Sequence, residues 1–287
     1  MDDLDYEKHV EDYKRLYGYY GDTPYIAKDR TLKDAKEEAK YSHALCVFDP
    51  VRDWLQKAIQ IAEGLKSTNA RYYLIHGAGR RFDMIFRAYQ KIMSIAYNKR
   101  SAPLSQDDQI ALSQAINITY MNIPGILDNF AWCLTYERQP ELAEKISRKS
   151  VGLFSKKFRK EFNAFFEVEK EIRVHDLWQR EVMERRDPVA HRIPLYVPPS
   201  IVTQDEANTY SAAYNRFTEN LNSLKLDDAD MALSQMDSIG TFCPWFIHHP
   251  EEPPTPIYPT VPEDLSHLIR IGDAIANCLL GKTRLDA

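Results

Sequence analysis

The chain has 287 residues, 44% hydrophobic and 28% charged, with a net charge of −5; these values exclude wholesale disorder and argue against a dedicated duplex-binding protein. Its length suits one large domain or two modest ones, it contains no apolar run long enough to cross a membrane, and its opening "MDDLDYEKHVEDYKRLYGYY" is too acidic and polar for a secretory signal. The four cysteines, Cys46, Cys133, Cys243 and Cys278, stand far apart without a CxxC pair and read as reduced, mostly buried thiols of a cytoplasmic protein.

Only ten glycines and little strand-like alternation leave helical period as the dominant signal. Pro50–Leu65 reads as a helix. Phe82, Ile85, Phe86, Tyr89, Ile92, Met93 and Ala96 recur at spacings of three and four, predicting a second helix to about Asn98. Ser105 is a plausible N-cap for the next, followed by Asp107 and Asp108 at the positive end of the helix dipole. There Ile116, Tyr120, Ile123, Leu127, Phe130 and Leu134 form one stripe, and Pro124 within it predicts a kink.

From Lys145 to Lys160 the chain holds seven basic residues and no acidic one, whereas Gln204 to Ala287 holds thirteen acidic against five basic. A solvated helix face balanced elsewhere is one explanation, and a local site for an anionic partner is the other. Phe162, Phe165, Val168, Ile172, His175, Trp178 and Val182 then predict a third long helix. Gln204 to roughly Met236 is polar and helical. Seven prolines in "CPWFIHHPEEPPTPIYPTVPED" exclude regular helix or central strand, and a last helix spans about Glu263 to Leu280. The expected architecture is all-α: a single domain over 1–287, built as a bundle of long antiparallel helices. Its proline-rich C-terminal strap, 243–262, and terminal helix, 263–280, pack on the bundle.

The sequence has no phosphate loop, GxGxxG, HExxH or GxSxG, and no cofactor is expected. His248 and His249 lack a cysteine or carboxylate at ligand spacing, and His175 reads as a core histidine. An arginine followed closely by a histidine has chemical sense for RNA cleavage. Histidine can take a proton from a 2′-hydroxyl or supply one to a leaving oxygen, and a fixed guanidinium can brace the phosphate. The spacing occurs twice. In Arg71…His76 ("RYYLIH") the intervening residues are bulky and apolar, so that copy reads as mainly structural, although His76 lies beside Gly77 and Gly79. In Arg186…His191 ("RDPVAH") a polar residue follows the arginine, and Pro188 pushes Asp187 out of helical conformation. Asp187 could then cap a short turn that lets Arg186 and His191 converge, or the stretch simply ends a helix.

With "RDPVAH" (Arg186–His191) and the helix "YMNIPGILDNFAW" (Tyr120–Trp132) in place, the chain resembles the HEPN superfamily of α-helical bundles over about residues 50–240. The hallmark of that superfamily is R-x4-6-H with Asn, Asp or His directly after the arginine. The resemblance implies a metal-independent endoribonuclease of the toxin or defence kind, with two copies facing one cleft. In that frame His191 is the general acid/base, Arg186 braces the phosphate, Asp187 orients the turn, and Asp128 and Asn129 support from the neighbouring helix. Lys156, Lys157, Arg159 and Lys160 are the candidates for holding the RNA backbone. The implied partners are RNA, a second copy of the chain, and an antitoxin or regulatory protein. Some members keep the fold and only bind nucleotides or partners, so a non-catalytic helical interaction protein is the alternative. The chain is longer than a minimal HEPN domain, and prolines flank its motif at 188 and 194.

Overall fold

The computed structural model describes residues 32–97, 100–191, 193–249, 251 and 253–281; the side chains of 32–42, 164 and 191 fall outside that description. The acidic opening segment therefore lies outside the described residues. The fold is all-α. Its helices are α1 (Leu32–Glu63), α2 (Thr68–Tyr72), α3 (Arg80–Ile95), α4 (Gln106–Arg138), α5 (Pro140–Lys145), α6 (Lys156–Glu161), α7 (Glu169–Arg173), α8 (Asp176–His191), α9 (Gln204–Asn222), α10 (Leu226–Asp237) and α11 (Ile257–Leu280). A π-helical stretch, Tyr73–Gly79, joins α2 to α3, and one antiparallel pair of two-residue strands, β1 (Trp245–Phe246) and β2 (Thr255–Pro256), precedes α11.

Helix α4 is the axis of the fold, since α3, α8 and α11 all pack against it. It starts where the sequence says it should: the Ser105 hydroxyl accepts from the Asp108 amide at 3.2 Å. Its stripe of Ile116, Tyr120, Ile123, Phe130 and Leu134 is fully buried. The helix continues through Pro124 to Arg138. Helix α1 supplies Ala44, Val47, Val51, Trp54, Ala58 and Ile61 to the same core, and this period runs across Pro50. That continuity explains why the helix runs through Pro50 instead of starting near it. The Trp54 indole stacks on Phe82 at 4.5 Å, each such burial contributing about 2–3 kcal/mol. Gly272 of α11 lies directly under the indole, where a Cβ would collide with the ring.

Three expected helices are divided. The stripe from Phe162 to Val182 is buried as predicted but spans a 3₁₀ turn (Asn163–Glu167), α7 and the start of α8. Apolar residues three apart suit a 3₁₀ turn as well as an α-helix, so the pattern does not report the break. The polar stretch from Gln204 breaks at Leu224, whose φ of 53° reverses the chain so that α9 and α10 pack on each other. The basic run forms only the 3₁₀ turn Arg148–Ser150 and the short α6. Within the proline-rich stretch, Pro259 and Pro262 enter the first turns of α11, where a missing amide costs least.

The segment after the motif crosses α4 in extended form. Gln109, Ser113 and Asn117, four residues apart on one helix face, bind its backbone. Asn117 Oδ1 accepts from the Leu195 amide (2.9 Å) while its Nδ2 donates to the Leu195 carbonyl (2.8 Å). Ser113 Oγ accepts from the Val197 amide (3.1 Å), and Gln109 Nε2 donates to its carbonyl (3.1 Å). Side chains of a helix thus satisfy backbone groups of an extended segment that otherwise makes only isolated bridges. Tyr196 extends the pairing by exchanging two hydrogen bonds with Ile247 (3.0 and 2.9 Å).

Candidate functional site

The motif helix α8 is anchored one residue before Arg186. Arg185 Nη1 lies 3.1 Å from both carboxylate oxygens of Asp264 on α11. Asp264, only 2% exposed, also accepts from the Tyr120 hydroxyl (2.8 Å) and Trp178 Nε1 (2.9 Å). One carboxylate therefore ties α4, α8 and α11 together. Burial pushes its pKa up to about 6, against the opposing pull of Arg185 and the two hydrogen-bond donors. The neighbouring Glu263 is raised to about 7, by burial first and then by Asp264 and Glu181.

Arg186 emerges on the adjoining side of α8. Its Nη1 donates to Asp187 Oδ1 at 3.1 Å, while its Nε is buried without a hydrogen-bond partner. An unpaired buried donor on a cation costs on the order of 1–3 kcal/mol. Across from it stands Asp128 of α4, one of the two residues picked from the sequence. Asp128 keeps an exposed face, but the crowded groove raises its carboxyl above the usual aspartate range; the positive charges of Arg186 and Arg81 pull the other way. The Gly152 backbone approaches so closely that a Cβ there would sit 3.4 Å from Asp128 Oδ1.

Asn129, the other chosen residue, faces the π-helical stretch: a Cβ on Gly77 would overlap its amide. One turn further along α3, the Arg81 guanidinium lies against Gly125, and its Nη1 donates to buried Asn122 Oδ1 at 2.9 Å. Tyr73 stacks on Trp132 and Tyr136 (5.6 and 5.5 Å). The pairs 81 with 125, 77 with 129 and 73 with 132 show that α3 and its π-helical extension pass α4 in the opposite direction. Small residues at the crossing let polar side chains sit between the helices.

Other sequence choices land differently. Helix α8 runs through Pro188 to His191, so Asp187 is an exposed helical residue and caps no turn. Five steps of regular helix turn about 500°, so without a break at Pro188 the Arg186 and His191 positions stand about 140° apart around the axis, and the expected convergence through a turn at Pro188 is not formed. The His191 backbone closes the helix, and its side chain lies outside the described residues. Arg159 is occupied: it binds Asp176 in bidentate fashion (2.7 and 3.1 Å) and donates to the Leu153 carbonyl. Lys156, Lys157 and Lys160 are exposed, with Lys157 3.9 Å from Glu161. In the second copy of the spacing, Arg71 donates to the Leu65 carbonyl (2.9 Å), a structural role as read, while His76 is exposed.

The sequence reading missed Arg81, Asp264 and a histidine group behind α11. His175 Nδ1 lies 2.7 Å from His267 Nδ1, and His267 stacks on Trp178 at 5.2 Å. His43 Nε2 meets Ser266 Oγ at 3.0 Å. Burial above all, with the Arg270 charge, lowers His43 and His175 to about 4. His267 falls to about 3, through burial, then His175, Arg270 and His43. A cavity of about 470 Å³ beside this group is lined by Lys170, His175, Arg270, Asp273 and Asn277, among others. Mid-helix Gly125 and Gly272 were the available signals of close crossings, and Asp264 stands in phase with buried Leu268, Ile271 and Ile275.

Among the described residues no group of histidines, cysteines and carboxylates is placed to hold a metal, and no helix is long and apolar enough to cross a membrane. Comparison with known proteins finds no matching family model, no matching curated protein and no matching solved structure.

Proposed function

We propose that the chain is a HEPN-like, metal-independent endoribonuclease that acts at the groove between α4 and α8. The observation that carries this reading is Arg186. It is the first residue of the R-x4-H motif, it has a buried donor without a partner, and it lies within electrostatic reach of Asp128 on the neighbouring helix. In the reaction His191 takes the proton of a 2′-hydroxyl and the 2′-oxygen attacks the adjacent phosphorus. The P–O5′ bond then breaks, and a proton passes to the departing 5′-oxygen. The products are a 2′,3′-cyclic phosphate and a 5′-hydroxyl, with no change of oxidation state. Arg186 braces the phosphate as its charge rises. One chain contributes one such histidine, and a homodimer would supply both a base and an acid. Lys156, Lys157 and Lys160 offer exposed charge for the RNA backbone, and an antitoxin or regulatory protein would act by covering the groove. Purified protein incubated with mixed RNAs in EDTA tests the reading: wild type should cleave, and Arg186→Ala and His191→Ala should not. Equal degradation by all three proteins, or none by wild type, refutes it.

A second reading, a non-catalytic interaction protein, is favoured by a different surface. Ile110, Ile193 and Tyr196 are 43%, 53% and 45% exposed along the groove where the extended segment crosses α4. An apolar groove of this kind suits a protein partner. Persistent binding of a partner by the His191→Ala variant, without RNA cleavage by wild type, would favour that alternative.

A further inference from the structure

We infer that Arg81 of α3 is a second phosphate-binding residue, forming with Arg186 a two-guanidinium groove for the backbone of single-stranded RNA. The choice of RNA as ligand rests on the ribonuclease reading above. Arg81 and Arg185–Arg186 approach α4 from opposite flanks over the same two turns: Arg81 against Asn122 and Gly125, Arg185 over the Tyr120 ring at 5.9 Å. Arg81 is half-buried, and the residues around it fix its direction. Gly125 removes the Cβ that would displace its guanidinium, and buried Asn122 accepts from one Nη.

Asn122 is itself held, since its Nδ2 donates to the Ile118 carbonyl at 2.8 Å. A neutral amide orients the arginine without cancelling its charge. Asp128, the acidic group within reach of both arginines, forms no direct ion pair with either among the described residues. Arginine is suited to this task because its planar fork keeps its charge and pairs two donors with phosphate oxygens. Two guanidiniums that both act on Asp128 hold the strand at two points, where one arginine would leave it free to pivot.

Binding and cleavage can be measured separately. The probe is a fluorescein-labelled 2′-O-methyl oligoribonucleotide, which binds but cannot be cleaved, followed by anisotropy over a range of salt. Arg81→Gln should weaken binding about tenfold and reduce the slope of log K against log salt by about 0.7, one phosphate contact. Arg81→Lys should keep the slope while losing part of the affinity. Arg87→Gln, on the same helix with a side chain 73% exposed and paired to Asp83, should change binding less than twofold. Thermal melting of each variant excludes unfolding as the cause. Arg81→Gln binding like wild type, Arg81→Gln matching Arg87→Gln, or a wild type that does not bind would overturn the inference. Arg81-dependent binding by a protein that never cleaves unmodified RNA would sustain the groove and refute the ribonuclease. Cleavage that needs Arg186 and His191 but ignores Arg81 would do the opposite.

Discussion

Arg185 and Asp264 form an ion pair at 3.1 Å in which the carboxylate is 3% exposed and the guanidinium 18%, one residue before the motif arginine. A buried pair of this kind is costly to make and more costly to break singly. Asp264→Ala leaves Arg185 only the more exposed Glu181 at 3.8 Å and strands the donors of Tyr120 and Trp178, so urea denaturation should show a loss of about 3 kcal/mol. The double variant Arg185→Met with Asp264→Leu should recover much of that loss. A single variant as stable as wild type would show that the network does not clamp α8.

The histidine group makes the fold sensitive to acid. His43, His175 and His267 all titrate below the ordinary value of 6.5. The folded protein therefore holds fewer protons than the unfolded chain between about pH 6.5 and about pH 4. Stability is fully present above that window and falls as pH drops through it, by up to about 1.4 kcal/mol per pH unit for each histidine. Glu263, raised to about 7, and Asp264, raised to about 6, act in the opposite sense, losing stability as pH rises from their unfolded values through those values. Three groups stand against two, so the net slope should favour higher pH but stay shallow. His267→Asn keeps an amide near the Nδ1 position but does not titrate, and it should reduce the acid slope by roughly one group's share. An unchanged slope in chemical denaturation between pH 4 and 6.5 would count against this account.

Asn117 should control the segment that follows the motif. Its amide satisfies both backbone groups of Leu195 (2.9 and 2.8 Å), and Asn117→Ala leaves both without those partners. The expected cost is about 1–3 kcal/mol, concentrated locally. Limited proteolysis should then cut between residues 192 and 199 faster than in wild type, while the melting temperature falls only modestly. Unchanged cleavage there would mean that the Tyr196–Ile247 pairing alone holds the segment.

Gly272 offers a packing test. A methyl group at this position meets the indole of Trp54, which is 1% exposed and stacked on Phe82, so neither ring can retreat. Gly272→Ala should destabilise by about 1–3 kcal/mol despite its better helix propensity. A more stable variant would show that α11 can shift without penalty.

The all-helical class and the buried stripes were legible in sequence because apolar period reports directly on burial. Ser105 as a cap was legible too, from capping chemistry. Helix ends within a continuous stripe were not: the breaks at Phe162 and Val168 leave the period of apolar residues intact, and the polar stretch around Leu224 has no stripe to interrupt. Pro188 misled in the opposite direction, because a proline late in a helix can remove one backbone bond without ending it. Arg81 and Asp264 were missed for a third reason: Gly125 and the apolar phase of Asp264 mark a close crossing and a buried position without naming the partner. Their roles depend on which helices cross, and no local pattern encodes a contact between residues 81 and 125 or between 185 and 264.

The account stands most directly on the chemistry of the cut ends. RNA incubated with the protein in EDTA should yield fragments ending in 2′,3′-cyclic phosphate, with 5′-hydroxyl partners, and His191→Ala should abolish both. Fragments bearing 5′-phosphate and 3′-hydroxyl ends, or cyclic ends that persist in His191→Ala, would contradict it.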